Sequence, residues 1–129
     1  MADVLLHSKR PIPSDAVLAL IADADGLPER TADAVEASLA EGPAVGAWDG
    51  DELVGFARAV TDGQLRGYVE DVVVARASRG AGIEAELVQA LLAGLDVEVV
   101  SVFCTKRDIE LYEGLGFKAT RQRVLHRRR

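Results

Sequence analysis

Apolar and polar positions alternate in several short runs of the chain and switch to a helical period in others. "DVLLH" (3–7) reads as a first strand. "PIPSD" breaks it, with Ser14 or Asp15 placed to cap a helix over "AVLALIADAD" that Gly26 and Pro28 end. Thr31 precedes a second helix, "ADAVEASLAEG", stopped by Gly42 and Pro43. "AVGAWDGDELVGFARAV" predicts two strands around Asp49-Gly50, a pair suited to the positive φ of a tight turn. A second Asp-Gly follows in "TDGQLRG", and then a third strand, "YVEDVVV". Ile83, Leu87, Leu91 and Leu95 recur on one helical face with Val88 and Leu92. "VEVVSVF" predicts a short central strand, "KRDIELYEGLGF" a short helix closed by Gly114 or Gly116, and "KATRQRVLH" a last strand. The order β-α-α-β-β-β-α-β-α-β implies an α/β (α+β) fold, a mixed sheet with helices on its faces.

Composition narrows the class. At 129 residues and 49% apolar, the chain can bury one core, and a single domain over residues 1–129 is expected. No apolar run approaches the roughly 20 residues that span a bilayer. "MADVLLHSKRP" has no basic segment ahead of an apolar one, so no signal peptide is expected. Cys104 is alone, which leaves no internal disulfide and no thiol-based zinc site. A cytoplasmic protein fits these features. The net charge of −6 argues against generic nucleic-acid binding, although residues 118–129 carry six basic residues and no acid.

Three stretches could carry chemistry. "VVVARASRGAGIEAEL" runs from a strand through Gly80 and Gly82 into a helix. Unpaired amides at such a helix start favour an anion, and Arg76 and Arg79 would add charge. The pattern is neither a P-loop nor a dinucleotide fingerprint. "LYEGLGF" sets Tyr112 late in a short helix before a glycine stop; core packing with a bonded hydroxyl is the commoner role there. Glu70-Asp71 interrupts an apolar strand. Strand neighbours point to opposite faces, so the two are not expected to act as a pair. Each is either a site residue or paired with an arginine such as Arg58 or Arg66.

Together these residues resemble the GNAT acetyltransferase superfamily. The acetyl-CoA signature of that family, R-x-x-G-x-G/A, reads Arg79-Gly80-Ala81-Gly82-Ile83-Glu84, and its closing Y-x-x-x-G-F is present as Tyr112, Gly116 and Phe117. The resemblance implies a mostly antiparallel mixed sheet with splayed central strands. It implies that the backbone of Val72, Val73 and Val74 bonds the pantetheine arm of acetyl-CoA and that the amides of Arg79 to Glu84 hold the pyrophosphate. A primary amine would attack the thioester, a backbone N–H would stabilise the oxyanion, and Tyr112 would protonate the departing thiolate. Near pH 7 an amine is mostly protonated, so a base is needed, and Glu70 and Asp71 are the candidates. Some members carry a glutamate at the position of Val100; Glu98, on the same strand, is a weaker substitute. His7 and His126 read as structural or solvated.

"VGFARAVTDG…YVEDVVV" is similar to the arylalkylamine (serotonin-type) and glucosamine-6-phosphate N-acetyltransferase subgroups, and Cys104 occupies a cysteine position of the latter, read here as a buried strand residue. The chain departs from the family pattern at Thr105, where an asparagine often contacts CoA, and at Asp108, Ala75-Arg76 and Glu84. Glu84 is expected to turn away from the pyrophosphate, toward solvent or Arg76. The final hairpin of larger members is expected to be missing or supplied by a partner in a homodimer. The reading is an acetyl-CoA-dependent N-acetyltransferase for a small amine. The alternatives are a non-catalytic CoA-binding or partner-binding module and acetylation of a protein lysine or N-terminus. Asp23, Asp25 and Glu29, between the first two helices, would suit a cationic acceptor or form a solvated face.

Overall fold

The computed structural model describes residues 2–24 and 26–129. Five strands form one sheet in the order β1-β2-β3-β4-β5: β1 Asp3–Leu6, β2 Ala44–Asp49, β3 Glu52–Thr61, β4 Arg66–Val74 and β5 Val99–Val102. The first four are antiparallel, and β5 runs parallel to β4. Helices α1 (Ser14–Asp23) and α2 (Ala32–Glu41) follow β1; α3 (Ile83–Ala93) crosses from β4 to β5, and α4 (Ile109–Gly114) follows β5.

Each face of the sheet has its own core. Ile83, Leu87, Val88 and Leu91 of α3 are buried against Val45, Ala57, Val69 and Val74, in a cluster that also holds Tyr112. The four helix side chains recur at the helical period, and each contributes roughly 1.5–3 kcal/mol by burial. Val17, Leu20 and Ile21 of α1 and Val35 and Leu39 of α2 pack with Trp48, Phe56 and Val73 in the other cluster. The second Asp-Gly forms a turn in which Asp62 Oδ1 accepts from the amides of Gln64, Leu65 and Arg66 at 2.7–3.2 Å. These backbone donors hold the Asp62 carboxyl below its usual range.

Thr31 caps α2 as expected, its Oγ1 accepting from the Ala34 amide at 3.2 Å. Neither Ser14 nor Asp15 caps α1, whose N-cap is Pro13; Ser14 instead donates to Glu36 at 3.1 Å. The expected central strand "VEVVSVF" is β5, which closes the strand order and presents exposed Val99. The last strand over 118–126 does not form, and residues 118–129 are exposed. Neither set of alternate residues from Lys118 to His126 makes an apolar row, so a strand there has no face to bury. Cys104 lies just past β5 and is exposed rather than buried.

Gly42 allows α2 to end against the sheet. A Cβ there would lie 2.5 Å from the Ala59 carbonyl oxygen, a backbone atom with no rotamer to yield. Gly42→Ala is expected to destabilise the fold by about 1–3 kcal/mol, measured by urea unfolding. Gly114→Ala is the control, since a Cβ at Gly114 meets nothing within 4 Å. Equal stabilities for the two variants would contradict this packing.

Candidate active site

The site begins with a break in β4. Phe56 pairs with Val73, but the next pair is Arg58 with Glu70, so β4 holds an extra residue. Asp71 takes a φ of +55°, the only positive value outside glycine among the described residues. Aspartate tolerates this left-handed region better than most side chains. Such a bulge resets the alternation of the strand. Tyr68, Glu70, Asp71 and Val73 therefore share the α1/α2 face, while Val69, Val72 and Val74 pack toward α3. The expectation that Glu70 and Asp71 point to opposite faces is overturned. It assumed an unbroken period of two.

The two acids meet two arginines. Arg58 Nε donates to Asp71 Oδ2 at 2.8 Å and Arg58 Nη2 to Glu70 Oε2 at 2.9 Å. Arg30 Nη2, from the loop between α1 and α2, donates to Asp71 Oδ1 at 3.0 Å and Glu70 Oε1 at 3.3 Å. The Asp71 side chain is 6% exposed and that of Glu70 28%. Burial alone would lower the Arg30 guanidinium, but the hydrogen bonds and charges of Asp71 and Glu70 outweigh it and raise it. Sequence reasoning named Arg58 as a partner. It missed Arg30, whose loop has no periodicity to read, and of the three acids it placed there, Asp25 lies outside the described residues.

The same segment leaves β5. The β4–β5 ladder joins Arg66–Val69 to Val99–Val102 and stops. β5 ends with that ladder at Val102 while β4 runs on to Val74, so the β5 side of Val72, Val73 and Val74 has no ladder partner. Arg79 Nε donates to one part-buried carbonyl there, Val74 O, at 3.3 Å. The splay expected from the resemblance is present between β4 and β5.

At the end of β4 a 3₁₀ turn, Arg76–Ser78, leads to Gly80 and Gly82, at φ of +85° and +80°. Both face open space where a side chain would project. Gly82 is the N-cap of α3 and offers no side chain to its amides; the first helical bond is Glu86 N to Gly82 O. The amides of Ile83, Glu84 and Ala85 are left pointing out of an exposed loop, an anion-binding arrangement. Asp23 holds Arg76, accepting from its amide at 3.0 Å and, through the Asp23 carbonyl, from its Nε at 2.7 Å. Glu84 is half-buried and has no ion pair among the described residues. Its charge is the smallest of those that raise the Tyr112 hydroxyl.

Tyr112 is buried on the α3 side, edge-on to Phe117 at 5.6 Å. Burial first, then the charges of Asp108, Cys104 and Glu84, push its hydroxyl up to about 12. Thr105 follows β5 and is exposed, its Oγ1 donating to Asp108 Oδ2 at 3.4 Å. Tyr68, unremarked in the sequence, packs against Phe103 with ring centroids 4.8 Å apart and the rings tilted by 42°. Its hydroxyl is raised by burial and then by Glu70 and Asp71, partly offset by the arginines.

A model of the acetyltransferase (GNAT) family matches residues 15–117. The chain belongs to this family. Over 71 residues it is 32% identical to "GCN5-related N-acetyltransferase 2, chloroplastic" of Arabidopsis thaliana, a stretch covering 53% of this chain and 28% of that relative. The chain thus spans little more than a quarter of that relative's length. A probable acetyltransferase of meticillin-resistant Staphylococcus aureus superposes with a TM-score of 0.86 at 20% identity, covering 100% of both chains. Glucosamine-6-phosphate N-acetyltransferase of Arabidopsis thaliana superposes with a TM-score of 0.74 at 12% identity, over 97% of this chain and 98% of that one. At these identities the two structures show the GNAT fold alone. Among the described residues no helix is long and apolar enough to cross a membrane.

The chain has two tyrosines, and both are raised. A tyrosine whose folded value exceeds its unfolded one, about 10, contributes stability fully below that pH. The contribution is lost as pH rises toward the folded value, about 12 for Tyr112. Phenolate absorbance at pH 10 is expected to be well under half of that in the denatured chain. Half-ionisation of both tyrosines at that pH in folded protein would contradict the buried placement.

Proposed function

We propose that the protein transfers an acetyl group from acetyl-CoA to the primary amine of a small molecule. The observation that carries this reading is the end of the β4–β5 ladder at Val69 and Val102, from which the open side of β4 leads to the uncapped start of α3. Acetyl-CoA, when bound, supplies the thioester. The backbone of Val72, Val73 and Val74 would hold its pantetheine arm, and the segment Arg79, Gly80, Ala81, Gly82, Ile83 and Glu84 its pyrophosphate. Thr105 would contribute from the opposite wall by releasing Asp108.

Tyr112 holds its proton at all ordinary pH, with its hydroxyl up at about 12. An ordinary thiol sits near 8.5, so full transfer from Tyr112 to a solvated thiolate would be uphill. The hydroxyl acts first as a hydrogen-bond donor to the departing sulfur, and transfer completes where the sulfur is as desolvated as the tyrosine. On the other face, Glu70 and Asp71 stand where β4 parts from β5. Glu70 is the more exposed of the two and suits the base role better. Arg58 holds its Oε2, and its other oxygen has lone pairs to accept the amine's proton.

The acceptor class rests on "GFAR" and "EDVVV", similar to arylalkylamine and amino-sugar acetyltransferases. A cytoplasmic setting and a homodimer belong to the same reading. The exposed edge residues Val99 and Phe103 support the dimer.

With acetyl-CoA and a panel of primary amines, thiol release is expected from the wild type. Tyr112→Phe is expected to lower kcat by roughly 10²–10⁴-fold with little change in KM for acetyl-CoA. An undiminished kcat would remove Tyr112 from this role.

A further inference from the structure

Arg58 and Arg30 neutralise the same two acids but differ in how they are held. Arg58 lies in β3, directly across from Glu70 in the strand register. Its backbone is fixed in the sheet. Arg30 is carried by the loop between α1 and α2, just ahead of the α2 cap at Thr31. Without Arg30, two carboxylates would face one guanidinium, leaving a net negative site at the point where β4 parts from β5.

Arg30 is also incompletely satisfied. Its Nε is buried and has no hydrogen-bond partner. It lines a cavity of 80 Å³ whose remaining wall is mainly apolar, with Val17, Ile21, Val35 and Phe56 beside Arg58 and Asp71. A buried donor without an acceptor costs free energy, which weakens the closed position of the loop. The space beneath the guanidinium suits a short apolar group attached to a cation.

We propose that Arg30 is a loop-borne latch: its guanidinium occupies the cation position beside Glu70 and Asp71, and a protonated primary amine with an apolar tail displaces it on entering. This rests on the amine-acceptor reading above and adds how the acceptor gains entry. The latch imposes a cost on acceptor binding, because the competent state is populated only when Arg30 is out. It makes Arg30 a specificity-determining residue that admits cations and leaves neutral molecules unable to replace it.

Calorimetry without acetyl-CoA tests the latch apart from acetyl transfer. The probes are n-butylammonium and, as the neutral counterpart, n-butanol. Arg30→Gln is expected to bind n-butylammonium at least about tenfold more tightly than the wild type, with n-butanol showing no gain. Equal or weaker binding by the variant, or no binding by either protein, overturns the latch. Hydrogen exchange on the unaltered protein gives a second test should Arg30→Gln fold poorly. Saturating n-butylammonium is expected to speed exchange of the amides of Gly26, Leu27, Glu29, Arg30 and Thr31 several-fold, and n-butanol to leave it unchanged. Slowed or unchanged exchange with the amine also overturns the proposal. Neither result depends on thiol release, so the latch can fail while acetyl transfer stands, and the reverse.

Discussion

One extra residue in β4 organises this molecule. The bulge at Asp71 ends the regular pleat just after the last β4–β5 pair, Val69 with Val102. Two consequences follow from the same distortion. The strands part, which frees backbone groups of Val72, Val73 and Val74. Two acids that would otherwise straddle the sheet come together on the α1/α2 face, where Arg58 and Arg30 hold them. Keeping Asp71 at positive φ requires that such partners be present, since an unpaired carboxylate at 6% exposure would be costly. The ion pairs and the splay therefore support each other.

The sheet separates two kinds of chemistry. On the α3 side lie an uncapped helix start, open glycines and a tyrosine kept protonated by burial. On the other side lie charged groups in balance. The gap between β4 and β5 is the route by which the two can act on one bond. Glu84 complicates the first side. A carboxylate on the first turn of α3 is favoured by the helix dipole, yet the same charge opposes an anion there and raises Tyr112. The helix start can favour both at once only if the glycine loop keeps the anion on its own side of the turn.

Much of this was legible in the residues. The period of Ile83, Leu87 and Leu91 marked α3, Thr31 marked the start of α2, and Asp49-Gly50 marked the β2–β3 turn. Gly80 and Gly82 marked an open backbone, and Tyr112 with Gly116-Phe117 made that loop specific. The bulge was not legible, because strict alternation gives the wrong face for one of any two neighbours once a residue is inserted. Arg30 was not legible because its partners lie 40 and 41 residues away, joined only by the fold. The strand over 118–126 was misread because β-compatible residues were present without an apolar face for them to cover.

The central claim is that the splayed β4 edge and the start of α3 form one acetyl-CoA site. Titration calorimetry of the intact protein with acetyl-CoA tests it most directly. The account predicts saturable one-to-one binding that free pyrophosphate weakens by competition at the α3 start. No binding at millimolar acetyl-CoA by folded protein would contradict it.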